Sequence, residues 1–153
     1  MKCRILLVDD HQMFREALRM CLESTAGMEV VAEISDGTEV LNGVANSRPD
    51  IVCMDFNMPK LNGALATGQL LAAYPKIKVI AMSAHTDLNL AAHMLRAGAL
   101  GFVDKAQAGT EILEAIEMVR QNKFFISPAI GIKDISELTV HITPGDNSPG
   151  SIR

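Results

Sequence analysis

The sequence predicts an α/β fold, a three-layer sandwich with a central five-stranded parallel sheet between two layers of helices. Short apolar runs alternate with amphipathic stretches five times along the chain, and each run is bounded by polar residues or glycine. Strands that alternate with helices in this way pair in parallel, because a parallel pair needs a crossover and the crossover is a helix.

The strands are expected at residues 4–8, 29–34, 51–54, 79–82 and 101–103. The first intervening stretch puts Phe14, Leu18, Cys21 and Leu22 on one helical face, and the last does the same with Ile112, Leu113, Ile116 and Val119. Three further helices, rich in Ala and Leu, are expected over 38–46, 64–73 and 88–97. Arg48-Pro49, Tyr74-Pro75 and Ala97-Gly98 fall between elements, where helix breakers belong. The chain shows no internal repeat.

The composition shifts after about Phe125. Residues 1–125 read as one domain. Residues 126–153 carry Ser127-Pro128, Thr143-Pro144-Gly145 and Ser148-Pro149-Gly150, and read as a linker or tail with room for one short helix near 134–138. A chain of 153 residues suits one ordinary domain and no second full one. A net charge of −4 gives no electrostatic footprint for nucleic acid, so DNA contact would need residues elsewhere. No apolar stretch reaches the length of a membrane span, and the start of the chain lacks a cleavage site. Cys3, Cys21 and Cys53 stand in apolar contexts without metal spacing, as core thiols of a reducing cytoplasm do.

In an open parallel sheet, ligands bind beyond the carboxyl ends of the strands, where strand order reverses. Asp9 and Asp10 directly follow the first strand, Asp55 ends the third, Ser83 follows the fourth and Lys105 lies just past the fifth. Taken singly, these residues are bland. An Asp after a strand is usually a turn or cap residue, a lone Ser starts a helix, and a lone Lys is solvated. Together they project three carboxylates, a hydroxyl and an amine toward one edge. Clustered carboxylates repel one another unless a cation neutralises them. Oxygen ligands with room for water suit Mg²⁺. A strand-end carboxylate can attack phosphorus to form an acyl phosphate, with the ammonium and hydroxyl stabilising the transferring oxygens.

Four segments carry a family resemblance: ILLVDDH, IVCMDFNMPKLNG, VIAMSAH and AGALGFVDK. Across roughly residues 2–123 the chain resembles the receiver domain of response regulators, the CheY-like superfamily. Asp55 followed by Pro59 and Gly63 is the most specific part of the match. The resemblance implies a flavodoxin-like (βα)5 sandwich with strand order 2-1-3-4-5. It implies that Asp55 accepts a phosphoryl group from a phosphohistidine on a sensor histidine kinase. It further implies that Asp10, Asp55 and the backbone carbonyl of Asn57 bind Mg²⁺ directly and Asp9 through water. Lys105 would pair with the phosphoryl group, and Ser83 would move inward to it.

Switching in the family also involves an aromatic residue three positions before the lysine, here Phe102. Many relatives carry Tyr there; Phe has no hydroxyl, so exchange by packing is what remains. Ala106 stands where many relatives have proline, and a trans Lys105–Ala106 bond is expected. His85 falls at a position that tunes phosphoryl lifetime in relatives, or is a solvent-facing loop residue. The chain most resembles the NarL/FixJ class, whose members carry a LuxR-type helix-turn-helix absent from these residues. The function implied is a two-component phosphorelay switch of transcription, not an enzyme beyond its own phosphorylation and dephosphorylation. A homodimer on phosphorylation, through the face built from the fourth helix, fifth strand and fifth helix or through the first and fifth helices, belongs to the same expectation.

Three other readings compete. A haloacid-dehalogenase-type phosphatase needs a second catalytic Asp two residues after the nucleophile, where this chain has Asn57. A flavodoxin-like nucleotide binder needs a phosphate loop after the first strand, where Asp9-Asp10 would repel phosphate. A stand-alone receiver acting by protein–protein contact without DNA is the third.

Overall fold

The computed structural model describes residues 2–130. Its apolar runs become strands because both of their faces are covered. In β1 (Cys3–Val8) five of the six residues are buried, and in β3 (Ile51–Asp55) all five are. The others are β2 (Met28–Ile34), β4 (Lys78–Ser83), β5 (Gly101–Asp104) and β6 (Phe125–Ile126). All pair in parallel, in the order β2-β1-β3-β4-β5-β6. The expected order is present, with a sixth strand added at the β5 edge.

That added strand corrects the five-strand expectation. Phe125 donates its N–H to the Leu100 carbonyl at 3.0 Å, and Ser127 donates to that of Phe102 at 2.8 Å. Ser127 Oγ also reaches Glu111 Oε1 at 2.6 Å, and Ile130 is buried. Residues 126–130, read from the sequence as the start of a tail, therefore pack on the domain. The short helix expected near 134–138 lies outside the described residues.

The helices are α1 (Gln12–Glu23), α2 (Val40–Ser47), α3 (Gly63–Ala73), α4 (Leu88–Ala97) and α5 (Ala108–Arg120). Leu18 and Leu22 of α1 join Ile112, Ile116 and Val119 of α5 over one face of the sheet. Val44 of α2, Leu70 of α3 and Met94 and Leu95 of α4 cover the other. Each large apolar side chain removed from water in these layers contributes about 1.5–3 kcal/mol. Asn62 Oδ1 caps α3 by accepting from the Leu65 N–H at 3.0 Å. Gly98, at φ 109°, ends α4 in the left-handed conformation that glycine adopts without strain.

Cys3 and Cys53 lie in the core and Cys21 is half-buried; all three are free thiols. Burial pushes the Cys53 thiol up to about 12 and raises that of Cys3 as well. Among the described residues no helix is long and apolar enough to cross a membrane.

Candidate functional site

Strand order reverses between β1 and β3, since β1 lies between β2 and β3. The carboxyl ends of these two strands deliver Asp9, Asp10 and Asp55 to one crevice. Asp9 and Asp55 are fully buried, while Asp10 stays partly open to solvent. Burial of two carboxylates requires compensating partners, and each oxygen has a nearby group.

Asp55 Oδ1 accepts the Asn57 backbone N–H at 2.8 Å, and Oδ2 accepts from Lys105 Nζ at 3.3 Å. Asp9 Oδ1 accepts the His11 backbone N–H at 2.8 Å. Asp9 Oδ2 faces Lys105 Nζ at 2.7 Å. That contact is an ion pair without hydrogen-bond alignment, for Asp9 Oδ2 accepts no hydrogen bond. One ammonium thus bridges two buried carboxylates, with its stem largely covered and its head 4.4 Å from the centre of the Phe14 ring.

Ser83, fully buried at the end of β4, accepts the His85 N–H at 2.9 Å and the Asn57 side-chain amide at 3.0 Å. The hydroxyl is therefore tied to Asp55 through Asn57. Phe102 of β5 is fully buried on the α2–α3–α4 side of the sheet, in register with Ala81. His85 is exposed and joins the site only by its backbone. No cis peptide occurs among the described residues, so the Lys105–Ala106 bond is trans. Asp104 ends β5, and its carboxylate accepts the Ala106 N–H at 3.1 Å, fixing the turn that presents Lys105.

Gly63 in the sequence signature has a steric reason. A Cβ there would lie 2.5 Å from the Phe56 ring, directly after Asp55. Only glycine lets α3 begin this close to the β3–α3 turn.

Two contributors were not singled out from the sequence. Arg15 of α1 donates to the Asp9 carbonyl and, at 3.1 Å, to Glu33 on β2, tying the β1 end to its neighbours. His11 turns its ring onto the acids, Nδ1 lying 3.0 Å from Asp9, 3.2 Å from Asp10 and 3.9 Å from Asp55. Its adjacency to Asp10 in ILLVDDH was the available signal. One ligand atom from each of Asp9, Asp10, His11 and Asp55 lies within 4.8 Å of the others, close enough to share one metal ion. Three carboxylates gathered this closely, one of them open to solvent, fit a hard divalent cation.

Comparison with known proteins agrees with this geometry. The family described as "Response regulator receiver domain" matches residues 5–117. "Transcriptional regulatory protein DegU" of Brevibacillus brevis is 38% identical over 129 residues, which are 84% of this chain and 55% of DegU. "Response regulator UvrY" of Escherichia coli (strain K12) is 34% identical over 82% of this chain and 58% of UvrY. The chain therefore spans a little over half the length of these relatives. Among solved structures, a two-component response regulator of the LuxR family from Aurantimonas sp. SI85-9A1 superposes with a TM-score of 0.82 at 33% identity. That match covers 92% of this chain and 99% of the other. The signal receiver domain of the putative response regulator NarL from Mycobacterium tuberculosis gives 0.73 at 30% identity, over 80% and 98% of the two chains. With the acids, hydroxyl and ammonium at the strand ends and the family matched over most of its length, the chain belongs to the receiver domains of two-component response regulators.

Proposed function

We propose that this chain is a Mg²⁺-dependent phosphoacceptor switch in which Asp55 receives a phosphoryl group from a phosphohistidine on a sensor histidine kinase. The observation that carries the reading is the bridge from Lys105 to both Asp9 and Asp55 inside a buried acidic pocket. An Asp55 oxygen attacks phosphorus as the P–N bond to the kinase imidazole breaks. The bonding pair stays with that nitrogen, which takes up a proton. Asp10, Asp55 and the Asn57 carbonyl would hold Mg²⁺, with Asp9 acting through water, and the ion would offset the charge of the carboxylates and the transferring oxygens.

Lys105 already stands 3.3 Å from Asp55 and is placed to follow the new charge. The Ser83 hydroxyl accepts two hydrogen bonds and keeps its own proton to donate. Its inward movement, with repacking of Phe102, is the proposed switch. Asn57 stands where a phosphatase of the competing class needs an acid, and its amide donates to Ser83. Turnover is then confined to the chain's own acyl phosphate.

The relatives' names support a transcriptional output, reached through a LuxR-type DNA-binding domain outside these residues. Homodimerisation on phosphorylation belongs to the same proposal. β6 now lines the β5 edge, so a dimer through the α4–β5–α5 face would form over β6. Buried free thiols at Cys3 and Cys53 fit a cytoplasmic location. The test is labelling by radioactive acetyl phosphate. Wild type is expected to label only with Mg²⁺, and Asp55→Asn is expected not to label. Equal labelling of the two proteins would overturn the acceptor assignment.

A further inference from the structure

We infer that Phe14 is a positioning residue for phosphoryl transfer, its ring face guiding the Lys105 ammonium as that charge moves from Asp9 toward the group on Asp55. The inference rests on the phosphoacceptor reading and adds to it a residue that acts through the lysine.

Phe14 belongs to the apolar stripe of α1 that also carries Leu18, Cys21 and Leu22. Leu18 and Leu22 are buried, as a core stripe requires, but Phe14, at the end next to Asp10, stays half-buried. It packs against the layer shared by α1 and α5, and the Lys105 ammonium stands over its ring, 4.4 Å from the centre. An aliphatic side chain would serve the packing alone. Only an aromatic one presents a cation with the negative face of a quadrupole.

Four side chains face the ammonium. Asp9 Oδ2 lies 2.7 Å away, Asp55 Oδ2 and His11 Nδ1 3.3 Å each, and the Phe14 ring centre 4.4 Å. The Lys105 side chain is only 12% exposed, so the ring acts on a charge largely withdrawn from water, where cation–π attraction is strongest.

At rest the lysine is closer to Asp9 than to the acceptor. A phosphoryl group on Asp55 brings new negative charge to the acceptor's side, and the ammonium shifts toward it. A hydrogen-bond acceptor as a further anchor would be lost in that shift, because such a bond is directional. Attraction to a ring face is broader. It holds out to about 6 Å from the centroid, which leaves the ammonium about 1.5 Å of travel. A further carboxylate would also draw on the positive charge that the transferring oxygens require, and a neutral ring does not. Without the ring, a lysine head extends toward water and away from the crevice.

The experiment uses the whole chain with Phe14 alone replaced by phenylalanines of increasing ring fluorination, which weaken the quadrupole at nearly constant shape. Labelling by acetyl phosphate at saturating Mg²⁺ is followed over time, with a thermal melt of each protein. The labelling rate is expected to fall stepwise with fluorination, by about tenfold at the end of the series, while the melts stay near wild type. Phe14→Leu is expected to match the slow end, and Phe14→Tyr, which keeps a ring face, to stay within about twofold of wild type. A rate independent of fluorination would overturn the inference, even with a slow Phe14→Leu, because packing alone would then explain the residue. If wild type itself does not label, the phosphoacceptor reading fails, and this inference with it.

Discussion

Lys105 Nζ lies 2.7 Å from Asp9 and 3.3 Å from Asp55, so the lysine is held more closely by the residue next to the acceptor than by the acceptor itself. The ammonium serves as counter-charge to two buried carboxylates. Lys105→Met leaves that pair without a cation, and breaking a buried pair from one side costs about 3–5 kcal/mol. We expect a loss of that order in chelator-containing buffer. Mg²⁺ is expected to recover more stability in the variant than in wild type. Denaturant titration with and without the ion checks this; equal stability of the two proteins in chelator would count against it.

Gly63→Ala places a methyl 2.5 Å from the buried Phe56 ring. Overpacking of this kind costs about 1–3 kcal/mol. Introducing the change beside Phe56→Leu should remove part of that cost, because the smaller side chain gives way. Thermal or denaturant melts of the two singles and the double provide the coupling. Additive losses would show that the contact is not the cause.

The Ser127 hydroxyl donates to the Glu111 carboxylate at 2.6 Å, and its backbone N–H donates to Phe102. Ser127→Ala removes the first bond and keeps the second. A hydrogen bond to a charged group is worth about 1.5–3 kcal/mol, and a loss in that range is expected on unfolding. Hydrogen exchange at the Ser127 amide is expected to quicken if this side chain pins β6 to the sheet. An unchanged amide would show that β6 is held without it.

The Cys53 thiol is pushed by burial from its ordinary 9.0 up to about 12. Between those values the unfolded chain loses this proton and the folded chain keeps it. Stability therefore falls as pH rises above 9.0, by about 1.4 kcal/mol per pH unit for a single proton. Cys3 shifts in the same direction and adds to the slope. Cys53→Ala is expected to flatten the alkaline decline while lowering stability at neutral pH. A slope identical to wild type would contradict the assignment. With a thiol reagent on the native protein, Cys21 should react first.

Most of the fold was legible because its strands are buried on both faces and announce themselves as apolar runs. β3 illustrates this: every residue from Ile51 to Asp55 is buried, and the acid that ends it breaks the run. The site was legible for a related reason, since Asp9, Asp55, Ser83 and Lys105 all sit at strand ends. β6 was not legible. Its two residues precede Ser127-Pro128, and a pair so short has no periodicity to read. What makes it a strand is the open edge of β5, a tertiary fact. His11 was missed for the opposite reason. It stood in plain view beside Asp10, but only the turn of its ring shows that it joins the acids.

The most direct test of the central claim is to locate the modification itself. After incubation with acetyl phosphate and Mg²⁺, borohydride reduction converts an aspartyl phosphate to homoserine, which peptide mass spectrometry can place. The account predicts homoserine at position 55 alone, and none when Mg²⁺ is chelated. Conversion at Asp9 or Asp10 in its place, or phosphate found elsewhere with Asp55 intact, would contradict it.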